Sequence, residues 1–519
     1  MSKVVGDHLL CVADEIVFQH DYQGTTYVVA CRIADGSIVD YLTLTGANAT
    51  TVILSALGDL TAGRTWKELV AVMGSYVDLG VISVSDYTDL QIIGKWVCQA
   101  NLGQSWIVNS DQGAGNTEIE IHGGHVDANK VNQNADMSCI YFVLCTYCWV
   151  HHVKVAGGNR VTAARGEGVE LRECSYCYVL DCEVYSSDYD NIKLSSSEDC
   201  IVANNICRND DTANGQLQIA HGGNNIVADN NCYSTGQTDK GITIAHGGCH
   251  DNIVMGNGFY GAYNFGIFIN SVTGGTEHNI ITDNHVENCS RGIHSQGASG
   301  EFSEHVFITG NYIKACGSGI RLEYMQYSWI AYNFLVDGTA RGIRIENTCT
   351  SIRFGPHYIY NQGGGIVTDN GVNTEWPSVT MQFALYGDGA TIETDGILVD
   401  AANEWGLAQI FMPWEAHTIV KLEISGRSVV AEGDGMLLEL RTNAGADNEP
   451  SNTHTETVTV ISTTLNFAAN DIIRWLRSSD VITAIKGGDS LSVRCVHAAA
   501  VAPDCATNVD LRNLTVYYI

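Results

Sequence analysis

The sequence predicts an all-β protein built around a solenoid of stacked parallel strands, with a cap before it and a β-sandwich after it. Three observations predict this. First, a phrase recurs between about residues 140 and 345: a turn residue, an aliphatic, any residue, and usually a second aliphatic. It reads Gly168-Val169-Glu170-Leu171, Asn191-Ile192-Lys193-Leu194, Gln216-Leu217-Gln218-Ile219, Gly241-Ile242-Thr243-Ile244, Gly266-Ile267-Phe268-Ile269, Gly292-Ile293-His294, Gly319-Ile320-Arg321-Leu322 and Gly342-Ile343-Arg344-Ile345. The steps between the leading aliphatics are 23, 25, 25, 25, 26, 27 and 23 residues. Repeats of two helices need roughly 33 residues or more, and any such unit buries its apolar face only against its neighbours. Second, apolar and polar residues alternate at period two, the strand pattern, and 54 Gly against 5 Pro suits a turn-dense β fold. Third, each unit holds an aliphatic with Asn three residues on: Val202 and Asn205, Val227 and Asn230, Val254 and Asn257, Ile281 and Asn284, Ile308 and Asn311, Ile330 and Asn333. Cys182 holds the same slot after Val179. Asn stacked at one corner of every coil bonds its amide to the next coil and tolerates a left-handed corner, which is a structural role.

In chain order, residues 1–62 are expected to form an N-terminal segment with a capping helix. Ile16-Val17-Phe18, Tyr27 to Ala30 and Tyr41 to Leu44 are short strands, with turns at Asp21 to Gly24 and Asp35-Gly36. Residues 47–62 form the helix, capped by Thr50-Thr51, with Val52, Ile53, Ala56, Leu57 and Leu60 on its apolar face. It plugs the open end of the first coil. Residues 63–370 form the solenoid, beginning at Lys67, with an insert from Asn101 to Asn116 expected as a loop walling a cleft. After Gly365 the register fails, and residues 366–376 are expected as a polar link. Residues 377–519 carry seven or eight longer strands, the pattern of a jelly-roll-like β-sandwich serving carbohydrate binding or trimerisation.

Composition narrows the function. A net charge of −31 argues against nucleic acid and anionic membranes as partners, and no apolar run reaches the roughly 20 residues of a membrane span. Met1 to His8 lack the basic start and apolar run of a signal peptide, so the expected location is extracellular or virion-associated by another route. Eighteen Cys in a chain this long fall largely in repeat register. Cys145–Cys148 and Cys174–Cys177 mimic zinc-ribbon spacing, but the coil register alone predicts it, and a stack of buried thiols is the expected state. Cys495 and Cys505 remain open as a pair.

The repeat, and the early phrase from Glu118 to Ala128, resemble the right-handed parallel β-helix (pectate-lyase-like) superfamily over roughly residues 60–370. The organisation is closest to phage and viral tailspikes that depolymerise polysaccharides. The resemblance implies a right-handed helix, an N-terminal cap, a polysaccharide partner and a homotrimer. It implies no required cofactor, with Ca²⁺ possible at outward acids and Asn-bearing turns. The polygalacturonase elements are only echoed, in Asp188-Tyr189-Asp190, Asp210-Asp211 and Arg344-Ile345-Glu346, and the Asp-Pro-His of alginate enzymes is absent, Gly355-Pro356-His357 lacking the acid. One fold hosts many chemistries, so the site must decide the reaction.

Equivalent residues of adjacent coils lie about 4.8 Å apart, so the variable residue of the phrase forms an outward ladder: Glu170, Lys193, Gln218, Thr243, Phe268, His294, Arg321, Arg344. Beside it run Arg172, Ser195, Ala220, Ala245, Asn270, Gln296, Glu323 and Glu346, and the preceding turns add Arg165, Glu167, Asp188, Asp190, Asp239, Lys240, Arg291 and Arg341. Eight of the 27 Lys and Arg fall on this face. A long shallow face with mixed charge and an exposed Phe268 suits an extended anionic polysaccharide; a solvated face with weak cross-coil ion pairs is the bland alternative. The expected catalytic carboxylates are Asp188, Asp190, Glu167 and Glu170, a set dense enough for the acid pair of glycoside hydrolysis. Lys193, His221, Lys240, His246, Phe268, Arg291, His294, Arg321, Glu323 and Arg344 are the expected substrate-binding set. His221 and His246 sit in matched Ile-Ala-His phrases and are expected to stack, disfavouring their charged forms. No metal ligand is assigned. Hydrolysis leads, with a uronate lyase, an epimerase and a non-enzymatic fibre or adhesin as alternatives.

Overall fold

The computed structural model describes residues 13–374, apart from 163–164, 210–214, 235–239, 262 and 364–366, and beyond these the backbone of strands between Ser378 and Tyr518. Asp210, Asp211, Asp239 and the Cys495 and Cys505 side chains fall outside the described parts. The chain divides into two compact units, Met1–Ser328 and Trp329–Ile519.

The first unit is a right-handed parallel β-helix. Three sheets run its length, each with ten parallel strands: the first from Glu68–Met73 to Phe307–Thr309, the second from Tyr76–Leu79 to Tyr312–Lys314, the third from Ile82–Val84 to Ser318–Leu322. The repeat phrase is the third sheet. Ile192 pairs with Val169 on one side and Leu217 on the other, so each leading aliphatic stacks on the next. Ile192, Leu217, Ile242, Ile267, Ile293 and Ile320 are 0–1% exposed and form the core with Val179, Val202, Val227, Val254, Ile281 and Ile308 from the first sheet. The phrase-opening glycines are there for close packing. A β-carbon at Gly241 would lie 2.5 Å from the Gly266 carbonyl oxygen, and one at Gly292 2.5 Å from that of Gly319.

The asparagine column forms the expected chain of amides. Asn205, Asn230, Asn257 and Asn284 each donate a backbone N–H to the next Asn Oδ1, at 2.9–3.1 Å. The left-handed corner falls one residue earlier than expected, on Asn204, Asp229, Gly256, Asp283 and Gly310. A second column joins cysteine to asparagine. The Cys148 N–H reaches Cys177 Sγ at 3.3 Å, and the N–H groups of Cys200, Asn225 and Asn252 reach the Oδ1 of Asn225, Asn252 and Asn279. Sulfur and amide oxygen thus serve one acceptor slot. The cysteines of both CxxC pairs are buried free thiols, Cys148 and Cys177 in this column and Cys145 and Cys174 in a separate slot, where the Cys174 N–H reaches Ser197 Oγ.

Ahead of the coils, Glu15–Tyr22, Thr25–Arg32 and Ile38–Thr43 make an antiparallel meander that pairs with Glu68–Met73 and covers the edge of the first sheet. The helix spans Gly46–Gly58 and buries Ala49, Val52, Ile53, Ala56 and Leu57. Its N-cap is Thr45, whose hydroxyl accepts from Asn48 N, and not Thr50-Thr51, which bond back to Gly46 and Ala47 carbonyls. The expected loop after Asn101 contains the third-sheet strand Ile107–Asn109.

In the second unit, Trp329–Ala331, Phe334–Val336 and Ile343–Ile345 pair in parallel with Arg353–Phe354, Tyr358–Tyr360 and Val367–Asp369. Residues 367–369 are therefore a coil strand and not a link. Beyond lie two antiparallel sheets, one centred on Val509–Tyr518 and Ile419–Ser428, the other ordered Trp405–Phe411, Ser490–His497, Leu438–Gly445, Thr455–Val458. Among the described residues no helix is long and apolar enough to cross a membrane.

Candidate active site on the third sheet

Strand register builds the site on the outer side of the third sheet. Tyr141, Glu170, Lys193, Gln218, Thr243, Phe268, His294 and Arg321 are successive partners, as the phrase predicts. Asp190, Gly215, Lys240, Phe265, Arg291 and Ser318 form a parallel row. The face is recessed, not the shallow open one expected. Glu170, Thr243, Phe268 and His294 are 1–5% exposed, so Phe268 is buried, not exposed.

Three carboxylates and one amine form the acidic end. Lys193 Nζ lies 3.0 Å from Glu167 Oε1. Glu167 is fully buried, and its other oxygen accepts from Gly166 N–H at 2.8 Å. Ser138 Oγ lies 2.9 Å from Glu167 Oε2 and 3.0 Å from Glu170 Oε2. The hydroxyl has one proton to give, so satisfying both contacts calls for a proton on a carboxyl. Glu170 fits that role. Burial and the Glu167 charge push its pKa to about 7, against the pull of Lys193. Burial likewise raises Asp190 to about 7, with Lys193 opposing and Glu167 adding. Asp190 Oδ2 is buried with no hydrogen-bond partner. Burial pulls against the Lys193 charge, but Glu167, Glu170 and Asp190 together hold its pKa above the ordinary value.

Asp188 sits apart. It pairs with Lys130 at 3.1 Å and accepts from Arg160 N–H at 3.4 Å, and the charges acting most strongly on Asp190 are Lys193, Glu167, Lys240 and Arg160. Both residues have the same parity, but Asp188 lies in the corner before the strand that opens at Asp190.

Aromatic and cationic groups form the other end. Phe265 and Phe268 stack at 4.5 Å, with Arg291 4.9 Å from the Phe265 ring and Lys240 Nζ 5.6 Å from that of Phe268. His294 packs 5.1 Å from Phe265. Burial, then Arg291 and Arg321, lower its pKa to about 3, so it is neutral. Arg321 pairs with Glu323 at 2.6 Å. His221 and His246 stack at 4.9 Å beyond the strand ends, as expected, and burial followed by the His221 charge lowers His246. In the second unit Arg344 pairs with Glu346 at 2.6 Å.

Sequence reasoning missed Ser138, Tyr141, Tyr189 and Gly215. Tyr141 is covered by the Arg165 guanidinium, 4.2 Å from its ring, and Tyr189 lies over Lys193 at 5.0 Å. Ser138 was findable, since it stands two residues before Ile140 as Glu167 stands before Val169.

Residues 138–302 match the family model described as the right handed beta helix region, and residues 272–375 match that of the periplasmic copper-binding protein NosD. No curated protein matches the chain. Among solved structures, the tailspike protein of E. coli bacteriophage HK620 in complex with a hexasaccharide is 10% identical, over 98% of this chain and 97% of that one, with a TM-score of 0.48. The mannuronan C-5 epimerase A-module of Azotobacter vinelandii is 12% identical, over 63% and 95%, at 0.45. The surface adhesin PfbA of Streptococcus pneumoniae is 12% identical, over 60% and 87%, at 0.46. Each is a likeness and assigns no activity.

Proposed function

We propose that this right-handed parallel β-helix protein binds an anionic extracellular polysaccharide along its third sheet and cleaves it by glycoside hydrolysis. The carrying observation is Asp190: a buried carboxyl with a pKa of about 7 and a free Oδ2, beside the Glu167–Lys193 pair. A protonated acid at neutral pH is what a leaving glycosidic oxygen requires. Glu170, whose pKa is also about 7, is the second carboxyl, and it acts as base or nucleophile in the fraction of molecules in which it has given up its proton. Glu167 is fully buried and bonded on both oxygens, so it sets the field for the other two and does not touch substrate. Lys240 and Arg291, each packed over one ring of the buried Phe265–Phe268 pair, hold the sugar chain.

The test is Asp190→Asn and Glu170→Gln, assayed separately for turnover and for binding. Each is expected to lose roughly 10²–10⁴-fold in turnover, the usual worth of general acid–base catalysis, with binding kept. Unchanged turnover in both overturns the assignment.

One observation favours a second reading, elimination or epimerisation of a uronate. The neutral His294, both ring nitrogens without a hydrogen bond, lies under the charges of Arg291 and Arg321, with Glu323 Oε1 3.9 Å from its Nε2. A neutral base beside cations that offset a carboxylate is what proton abstraction at a uronate carbon needs.

A further inference from the structure

On the outer side of the first sheet, away from the site above, four residues from three successive coils converge. Asp89 belongs to Thr88–Ile93, Glu120 and His122 to Glu120–His122, and His151 to Trp149–His151. Register sets Glu120 against Asp89 and His122 against His151. Asp89, Glu120 and His122 each offer one ligand atom, and all three atoms lie within 4.8 Å of one another. The two imidazoles are stacked with centroids 5.1 Å apart and planes only 6° from parallel.

The contacts inside this cluster are close. His122 Nε2 is 2.8 Å from Asp89 Oδ1, and His151 Nε2 is 2.8 Å from Glu120 Oε1. Yet Asp89 Oδ1 and His122 Nε2, both buried atoms, make no hydrogen bond: they are near but not aligned as donor and acceptor. A plain ion pair would turn the N–H onto the oxygen. An imidazole nitrogen and a carboxylate oxygen this close, and not bonded to each other, can take a cation in place of the imidazole proton. The surroundings suit one as well. Lys67 holds Glu120 Oε2 at 2.7 Å, and Oε1 faces His151 Nε2. When an ion replaces the proton with which His151 Nε2 donates to Glu120 Oε1, His151 Nδ1 keeps its own proton and donates to His152 Nδ1, 2.8 Å away. Side chains here are 18–24% exposed, enough for entry of an ion and a remaining water.

We propose that Asp89, Glu120, His122 and His151 bind one divalent transition ion of the zinc class and so staple three coils near the N-terminal end of the helix. Two imidazoles and two carboxylates are the borderline nitrogen–oxygen set that zinc prefers, whereas Ca²⁺ takes oxygen alone. Metal–ligand bonds of about 2.0–2.2 Å around a tetrahedral ion hold ligand atoms about 3.3–3.6 Å apart, so the two pairs now at 2.8 Å open slightly and the wider separations close.

The experiment uses the full chain, stripped with chelator and titrated with Zn²⁺ by calorimetry and with Co²⁺ by absorption. One ion per chain is expected, with a visible Co²⁺ ligand-field band and no near-ultraviolet thiolate band, which separates this site from the buried cysteines. His122→Ala, and the equal-sized Asp89→Asn as the variant safest for folding, are each expected to weaken binding at least tenfold, while Cys145→Ser leaves it unchanged. A thiolate band, binding that survives both variants, or no binding to the wild-type chain overturns the proposal.

Discussion

Asp190 Oδ1 occupies the space that a β-carbon on its register partner Gly215 would need, only 2.6 Å away. The backbone at Gly215 is not left-handed, so an alanine meets no conformational penalty there and acts through the carboxyl alone. Gly215→Ala is expected to displace Asp190 and reduce kcat at least tenfold with little change in Tm. Steady-state kinetics beside a thermal melt check it; unchanged kcat removes Asp190 from the mechanism.

The raised pKa of Asp190 sets a pH dependence. The folded state holds this proton more tightly than the unfolded chain does, from an ordinary 3.8 up to about 7. The stability this contributes is full below about pH 4 and is lost as pH rises through about 7. Asp190→Asn keeps the neutral form at every pH. It is therefore expected to match the wild type near pH 4 and exceed it above pH 7, in urea midpoints measured across that range.

The amide column is a stability element. Asn230 donates to the Val202 carbonyl and to Asn257 Oδ1, both at 2.9 Å, and is fully buried. Asn230→Asp keeps the shape but turns a donor into a carboxylate facing two acceptors. A loss of roughly 3 kcal/mol or more is expected, read as a fall in Tm, because unsatisfied buried groups cost about 1–3 kcal/mol each and charged ones more.

At the cap, Thr45 accepts from Asn48 N–H at 3.1 Å. Thr45→Ala is expected to lower stability by about 1 kcal/mol, and Thr45→Ser to restore it. Denaturant unfolding of the three proteins checks the order.

The repeat made much of this legible. The spacing of Ile192, Leu217 and Ile242 gave the strand register, and register gave the ladder from Glu170 to Arg321 and the stacked pair of His221 and His246. Burial of that ladder was not legible, because alternation says which side chains leave the coil and not what lies over them. Phe268 was misplaced for that reason. Asp188 shares parity with Asp190, but parity holds only inside a strand, and Asp188 precedes one. The strand Val367–Asp369 was missed because Val367 is its one aliphatic. The asparagine column, with Cys182 in its slot, was clear, but the second column, in which Asn225, Asn252 and Asn279 continue Cys148, Cys177 and Cys200, was hidden, since a thiol and an amide fill the same acceptor slot without resembling each other in sequence.

The most direct measurement is a panel of acidic and neutral polysaccharides incubated with the full chain, read on the same samples for new reducing ends and for ultraviolet absorbance of unsaturated sugar. Cleavage by Asp190 and Glu170 predicts reducing ends without absorbance, on an anionic polymer, and their loss in Asp190→Asn. Absorbance rising with the reducing ends contradicts hydrolysis and moves the chemistry to His294, Arg291 and Arg321; neither signal on any polymer contradicts chain cleavage by the third sheet.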